Sequence, residues 1–304
     1  MEVRQSDLAS AQRCMYQMHL ARKEEEGTGK RGETNSATVL GTVTHYAVMI
    51  LEQLFHEGRE DALDVAVATF EHYWHPDNLH ELEPAGIGFW LPRTTYGGML
   101  IRGRKSLRDY YDLLKSDDGK LLALEYTWKV PYELDGEMHA LKGTADRLAL
   151  RLYKRKPYLS VEDFKTGKKP NYLRYATQWT VYCYASLQPE FWVDFGDLID
   201  PVVERLHAKK LALFHDDTGY EVIPRRGRWI NLGQGETVSV HDVGWRIEQD
   251  YARMRVQVSH YIAAHKAQVF PLTLSGDTCM YCAFSRNGAC GGVPIPELDQ
   301  GPDT

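Results

Sequence analysis

Nothing in this 304-residue chain is long and apolar enough to cross a bilayer. The opening stretch, MEVRQSDLASAQRCMYQ, has no apolar core of the kind a secretory signal carries. Membrane-spanning roles are set aside, and the cytoplasm is the expected compartment. No internal repeat and no long low-complexity tract is found, and no G-x-x-x-x-G-K-[ST] occurs, so the chain has no P-loop. Cysteine is scarce. The total is five, an odd number, which argues against a disulfide framework. Basic residues do not dominate either: 36 Lys and Arg face 42 Asp and Glu, a formal net charge of -6. That disfavours a broad nucleic-acid-coating surface but leaves room for a local basic channel. The length and the 43% hydrophobic content suit one elaborated α/β or α+β domain with appendages.

The pattern reads as helices, then strands, then alternating elements. DLASAQRCMYQMHLARKEEE is expected as a helix before a polar loop, and ATVLGTVTHYAVMILEQLFHEG and EDALDVAVATFEHYW as two more. Residues 76–103 read as irregular, and RKSLRDYYDLLKS as a basic helix. LLALEYTWKVPYEL and MHALKGTADRLALRLY flank Asp135-Gly136, a strong hairpin turn. PYLSVEDFKTG is a third strand and NYLRYATQWTVYCYASL a helix. RLHAKKLALFHDD and YEVIP are expected as strands, and residues 237–268 as one long helix. The order predicts a mixed sheet with helices on its faces.

The chemistry concentrates in the third strand. Residues i and i+2 of a strand face the same way, so Asp163 and Lys165 point together at its end. Buried charges are costly unless paired or metal-bound. Asp146, in GTADRL of the neighbouring strand, offers a second carboxylate, and oxygen donors on adjacent strands suit Mg²⁺ or Mn²⁺. Glu162 alternates to the other face and is not counted. The next helix places Gln178 and Tyr182 four apart on one face. His45 lies upstream on an otherwise apolar helix.

GTADRL, then VEDFKTGK, then QWTVY resembles the RecB-type branch of the PD-(D/E)XK nuclease superfamily, over roughly residues 37–190. The resemblance implies an α/β, restriction-endonuclease-like mixed sheet flanked by helices. It implies metal binding by Asp146, Asp163 and His45, with the Phe164 backbone carbonyl completing the shell. Lys165 is implied as the catalytic lysine assisting the attacking water, and Gln178 and Tyr182 as a pair positioning DNA. The expected activity is metal-dependent exonucleolytic hydrolysis of DNA, as single strands or duplex ends, in recombination, repair or replication. A helicase, annealing protein or integrase is an expected partner, since any unwinding must come from outside the chain. The rivals are a CRISPR-adaptation nuclease trimming spacer precursors and a non-catalytic iron–sulfur DNA-binding subunit.

Cys279 and Cys282 form C-x-x-C, Cys290 follows, and Cys14 lies near the other end. This one-plus-three arrangement resembles the iron–sulfur clasp of AddB-like and CRISPR-associated nucleases, implying a 4Fe-4S cluster. Four thiolates also suit tetrahedral zinc. Cys183 reads as an ordinary buried thiol. The chain then divides into an N-terminal clasp segment (1–36), a nuclease core (37–270) with a helical insertion at about 60–118, and a cysteine segment with a loose tail (271–304). Candidate DNA contacts combine stacking aromatics and cations: Phe89, Trp90 and Tyr96 with Arg93, Arg102, Arg104, Lys105 and Arg108. Lys168 and Lys169 follow the lysine motif, and Arg225 to Trp229 is a weaker candidate.

Overall fold

A computed structural model describes residues 1–12, 14–28, 35–82, 86–88, 90–91, 93–166, 172–232, 238–245 and 248–271. The centre is a mixed sheet built on a long hairpin, β2 (Lys120–Leu134) and β3 (Glu137–Tyr153). Asp135 and Gly136 join them at φ 52° and 81°, the two positive values that a tight hairpin turn needs. β4 (Lys156–Lys165) returns antiparallel to β3. β7 (Arg225–Asn231) runs parallel to β4, and β8 (Ser239–Trp245) closes that side antiparallel to β7. The short β1 (Glu2–Arg4) pairs parallel with β3.

β3 is where the strand pattern matters most. One edge is taken by β2. The other edge is shared: β1 occupies residues 140–142 and β4 occupies residues 147–153. Residues 143–146, the GTAD stretch, pair with neither. Opposite them, β2 skips a rung as well, passing from Leu124↔Arg147 to Tyr126↔Ala145, with Glu125 at φ 46°. β4 meanwhile runs on past β3, with residues 163–165 held only by β7. The sheet therefore splits, and the split carries the motif residues.

Two apolar clusters cover the sheet. One joins α3 (Ser36–His56), α4 (Ala62–Trp74) and α6 (Tyr96–Lys115) to Phe164, Ile230 and Leu232 of the sheet. α5 (Leu79–Leu82) contributes Leu79. The other cluster packs α1 (Gln5–Ala11), α2 (Met15–Thr28), α7 (Tyr172–Ala185), a 3-10 segment (Pro189–Leu198), α8 (Asp200–His207) and α9 (Glu248–Ala267) against Leu141, Leu148, Leu159 and Val161. Asn35 caps α3 by accepting the N–H groups of Ala37 and Thr38.

Four sequence expectations are corrected. Residues 76–103 are not wholly irregular, since they hold α5 and the first eight residues of α6, whose N-terminus Thr95 caps. The N-terminal helix is two helices preceded by a strand, with Cys14 at the break. The expected long C-terminal helix begins as β8, because Val238 and Val240 alternate onto the α3-side cluster and pair with β7 at Ile230↔Val240. Of the strands expected near residues 205–224, only the two-residue pair β5 (Leu211–Ala212) and β6 (Glu221–Val222) forms. α8 takes the start of that stretch, with Pro201 in its first turn and Val202 and Leu206 buried.

The last β3–β4 rung, Arg147↔Glu162, is the hub of a buried ion network. Arg147, Glu162 and Glu52 are each at most 1% exposed. Arg147 donates to Glu162 at 2.6 Å, to Glu52 of α3 at 2.9 Å and to Asp117 at 2.8 Å. Glu162 also accepts from Arg151, Arg228 and Ser160 at 2.7, 3.0 and 2.7 Å, and Tyr110 donates to Glu52. Burial pushes the Glu162 carboxyl up, but Arg147, then Arg151 and Arg228, outweigh it and hold it well below the usual carboxylate range. Three guanidiniums thus converge on Glu162, with Glu52 and Asp117 beside it and the more exposed Asp118 and Asp242 at the margin. Glu162→Gln would leave those cations short of an anion, and we expect a loss of about 3–5 kcal/mol in urea unfolding at pH 7. Because the folded value is lowered, this contribution is present above the ordinary value of 4.5 and fades as pH falls. A loss under about 1 kcal/mol would contradict this role for the network.

Candidate active site

An exposed run of backbone inside a sheet must find other partners. At the split, side chains supply them. Asp146 Oδ2 accepts the Phe164 N–H at 2.6 Å, standing in for the missing β3 carbonyl. Tyr182 of α7 donates its hydroxyl to the Thr144 carbonyl at 2.7 Å. Gln178, one turn earlier, donates to Asp163 Oδ1 at 2.7 Å and to the Tyr182 hydroxyl at 3.1 Å. Gly143 is required here by close approach: a Cβ would lie 2.6 Å from the Trp128 ring. The GTAD and Q-x-x-x-Y spacings thus have one local cause, the tying of α7 across a gap between strands.

The carboxylates are poorly neutralised. Asp163 is 1% exposed. Burial raises its carboxyl to about 6, with Lys165 pulling down and Asp146 pushing up. Asp163 Oδ2 is paired with the Lys165 ammonium. Burial raises Asp146 too, against the pull of Lys165 and the Phe164 N–H. The Lys165 ammonium also lies 5.7 Å over the Trp229 ring. His45 Nδ1 of α3 is 3.7 Å from Asp146 Oδ2. Burial and then the Lys165 charge lower the imidazole to about 4, while Asp163 and a bond to the Phe164 backbone act the other way. His45 is therefore neutral near pH 7, the form that can ligate. Two buried carboxylates that share one lysine, beside a neutral imidazole, fit a hard divalent cation.

A cleft of about 560 Å³ opens onto this group. Asp146, Asp163, Lys165, Gln178 and Tyr182 line it, as do Arg4 and Lys142 from the β1–β3 pair. Arg4 is bonded to Glu25 at 2.7 Å. These two cations escape sequence reading because a parallel pairing with residues 2–4 brings them there. Glu125 escapes it too, although counting rungs back from the Asp135-Gly136 turn sets it opposite Asp146. Its carboxylate, the His45 ring and Asp146 offer donor atoms within 4.8 Å of one another.

Other candidates lie elsewhere. Trp90, Arg93, Arg102, Arg104 and Lys105 are not among the cleft's lining residues. Arg104 is engaged by Glu71 at 2.6 Å and Lys105 by Asp109. Arg225 and Arg228, in the weaker basic stretch, are spent inward: Arg225 on the carbonyls of Ser186, Leu213 and Ile223, and Arg228 on Glu162. Phe89, Lys168, Lys169, Cys279, Cys282 and Cys290 lie outside the described residues. Cys183 is fully buried. No described helix is long and apolar enough to cross a membrane.

A family model, the PD-(D/E)XK nuclease superfamily, matches residues 3–287. The chain belongs to this superfamily, whose members are usually metal-dependent nucleases using divalent cations. No curated protein matches the chain. Among solved structures, the crystal structure of SSO0001 is 10% identical, with 89% of this chain and 94% of that one covered at a TM-score of 0.32.

The raised Asp163 value has a consequence for stability. Its folded value near 6 lies above the ordinary 3.8, so ionisation of Asp163 weakens the metal-free fold as pH rises through that window. With a chelator present, we expect Asp163→Asn to unfold at higher denaturant than wild type above pH 6, by about 1–3 kcal/mol. The gain should vanish toward pH 4. A variant less stable than wild type at pH 8 and equal to it at pH 4 would contradict the charge argument.

Proposed function

We propose that this chain is a divalent-metal-dependent deoxyribonuclease that digests DNA from an end, in recombination, repair or replication. The observation that carries this is the convergence of Asp146, Asp163 and Lys165 at the split between β3 and β4, open to a cleft with cations on its wall. The exonucleolytic reading rests on the motif order, which is that of the RecB-type branch. His45, Asp146, Asp163 and the Phe164 carbonyl would hold the metal. Once bound, a divalent cation supplies a positive centre that polarises the phosphate and acidifies water. Lys165 brings a second positive charge to the same place, where negative charge develops. Gln178 keeps Asp163 oriented by its hydrogen bond, and Tyr182 pins the Thr144 carbonyl so that the gap stays open. Arg4 and Lys142, now paired with Glu25 and Glu2, would have to exchange those partners to meet the phosphate backbone.

A second element is supported by the N-terminal geometry. Cys14 is 5% exposed, and its Sγ accepts the Gln17 N–H at 3.4 Å. The Tyr16 N–H is bonded to the Pro271 carbonyl at 3.3 Å, and His19 stacks on Phe270 at 3.9 Å. The chain thus returns beside Cys14 shortly before Cys279. We read Cys14, Cys279, Cys282 and Cys290 as the ligands of a 4Fe-4S cluster, with zinc as the alternative, clasping the two ends.

Each reading has its test. Asp146→Ala, Asp163→Ala and Lys165→Ala should each cut cleavage of end-labelled DNA by about 10²-fold or more with Mn²⁺ or Mg²⁺ while the protein still folds. Linear single strands or duplexes should be degraded and circles spared. Full activity of Lys165→Ala would sink the mechanism, and cleavage of circles at the linear rate would sink the end-dependence. For the clasp, purified wild type should carry about four irons per chain and absorb in the visible blue. Cys14→Ser should lose the metal and stability on the order of several kcal/mol, whereas Cys183→Ser should lose neither. One stoichiometric zinc would replace the iron assignment, and an indifferent Cys14→Ser would remove the clasp.

A further inference from the structure

Glu125 is the one acidic side chain of the split that no motif includes. It sits mid-way along the 15-residue β2, in a left-handed conformation at φ 46° that a strand residue has no reason to adopt. Its rung with Asp146 is the one missing from the β2–β3 pairing, although pairing resumes on both sides. The side chain is half-buried. Among the described residues it makes no hydrogen bond and no ion pair, and its charged neighbours are mostly of its own sign, Asp146 and Asp163 against Lys165. A carboxylate turned by strained backbone toward two other carboxylates is unfavourable unless something positive joins them. The donor atoms of Glu125, His45 and Asp146 lie within 4.8 Å of one another. Asp163 lies alongside, 1% exposed, with its Oδ2 against the Lys165 ammonium and its Oδ1 accepting from Gln178.

We propose that Glu125 is a metal ligand of this centre, adding a donor from β2 beside His45 and Asp146 to the set that also includes Asp163 and the Phe164 carbonyl, for a hard divalent cation such as Mn²⁺ or Mg²⁺. This rests on the nuclease reading above and deepens it by adding a ligand from β2. Two carboxylates and an imidazole are a donor set that a first-row or alkaline-earth divalent ion accepts. The left-handed turn at Glu125 then has a physical purpose, because it aims the carboxylate across the skipped rung.

The test is Mn²⁺ binding to the full-length protein, followed by the loss of free-ion electron paramagnetic resonance signal and by the Mn²⁺-induced rise in melting temperature. Wild type, Glu125→Gln and Glu125→Ala are compared, two variants so that a defect peculiar to one replacement does not hide the answer. With a chelator present, both should melt at or above the wild-type temperature, because a repelled carboxylate is gone. With Mn²⁺ present, both should bind roughly 10-fold or more weakly and lose most of the wild-type stabilisation. Variants that bind Mn²⁺ as tightly as wild type would overturn the assignment of Glu125 while leaving the centre itself intact. So would variants that melt lower in chelator with an unchanged response to Mn²⁺, which marks a structural role. A wild type that binds no Mn²⁺ at all would overturn the nuclease reading as well, so the two failures are told apart.

Discussion

The interruption of β3 at residues 143–146 is the constraint on which the rest of the site depends. A strand in the middle of a sheet is held on both edges, and leaving part of one edge empty exposes amide groups that must be satisfied. Here the pairing with β1 stops at residue 142 of β3 and the pairing with β4 begins at residue 147. The vacancy is filled by side chains: Asp146 accepts the Phe164 N–H, and Tyr182 donates to the Thr144 carbonyl. Because Asp146 replaces a backbone partner, its carboxylate is fixed against β4 beside Asp163. The helix that carries Gln178 and Tyr182 is tied to the same place. A cleft opens because a strand is missing, and its walls are chemically active because side chains took over the strand's hydrogen bonds.

One residue on along β3 and one residue back along β4, the electrostatics reverse. Arg147 and Glu162 form a rung whose charges are matched, through Glu52, Asp117, Arg151 and Arg228, almost without solvent. Asp146 and Asp163 form no rung, and Lys165 alone stands against their charge within the sheet. The matched network clamps the end of the β3–β4 pairing. The unmatched pair beside it is left wanting a cation. Buried ion pairs are weak evidence for stability in general, because desolvation offsets attraction. Their place here is what stands out: the network sits on the last β3–β4 rung, directly beside the gap.

Much of this was legible in the sequence, and for physical reasons. Asp163 and Lys165 share a face because strand geometry has period two, and Gln178 and Tyr182 share one because helix geometry brings i and i+4 together. The hairpin followed from Asp135-Gly136. Glu162 was rightly separated from the carboxylates by alternation, but its three arginine partners come from β3 and β7 and from no local pattern. The misread β8 shows that helix and strand compete over short stretches, and that the burial of Val238 and Val240 decided it. Arg4 and Lys142 were hidden because strand order, not spacing, brings them to the cleft. Glu125 was hidden by an assumption that a strand stays extended, and φ 46° breaks that assumption.

The central claim is that the split sheet holds its unmatched carboxylates for a divalent cation. Crystals soaked in Mn²⁺ and measured for anomalous scattering at the manganese edge test it directly. The account predicts an anomalous peak within about 2.0–2.3 Å of carboxylate oxygens from Asp146 and Asp163, with the ordered network of Arg147 and Glu162 unchanged behind it. At saturating Mn²⁺, carboxylates still closed on the Phe164 N–H and Lys165 with no peak between them would contradict it.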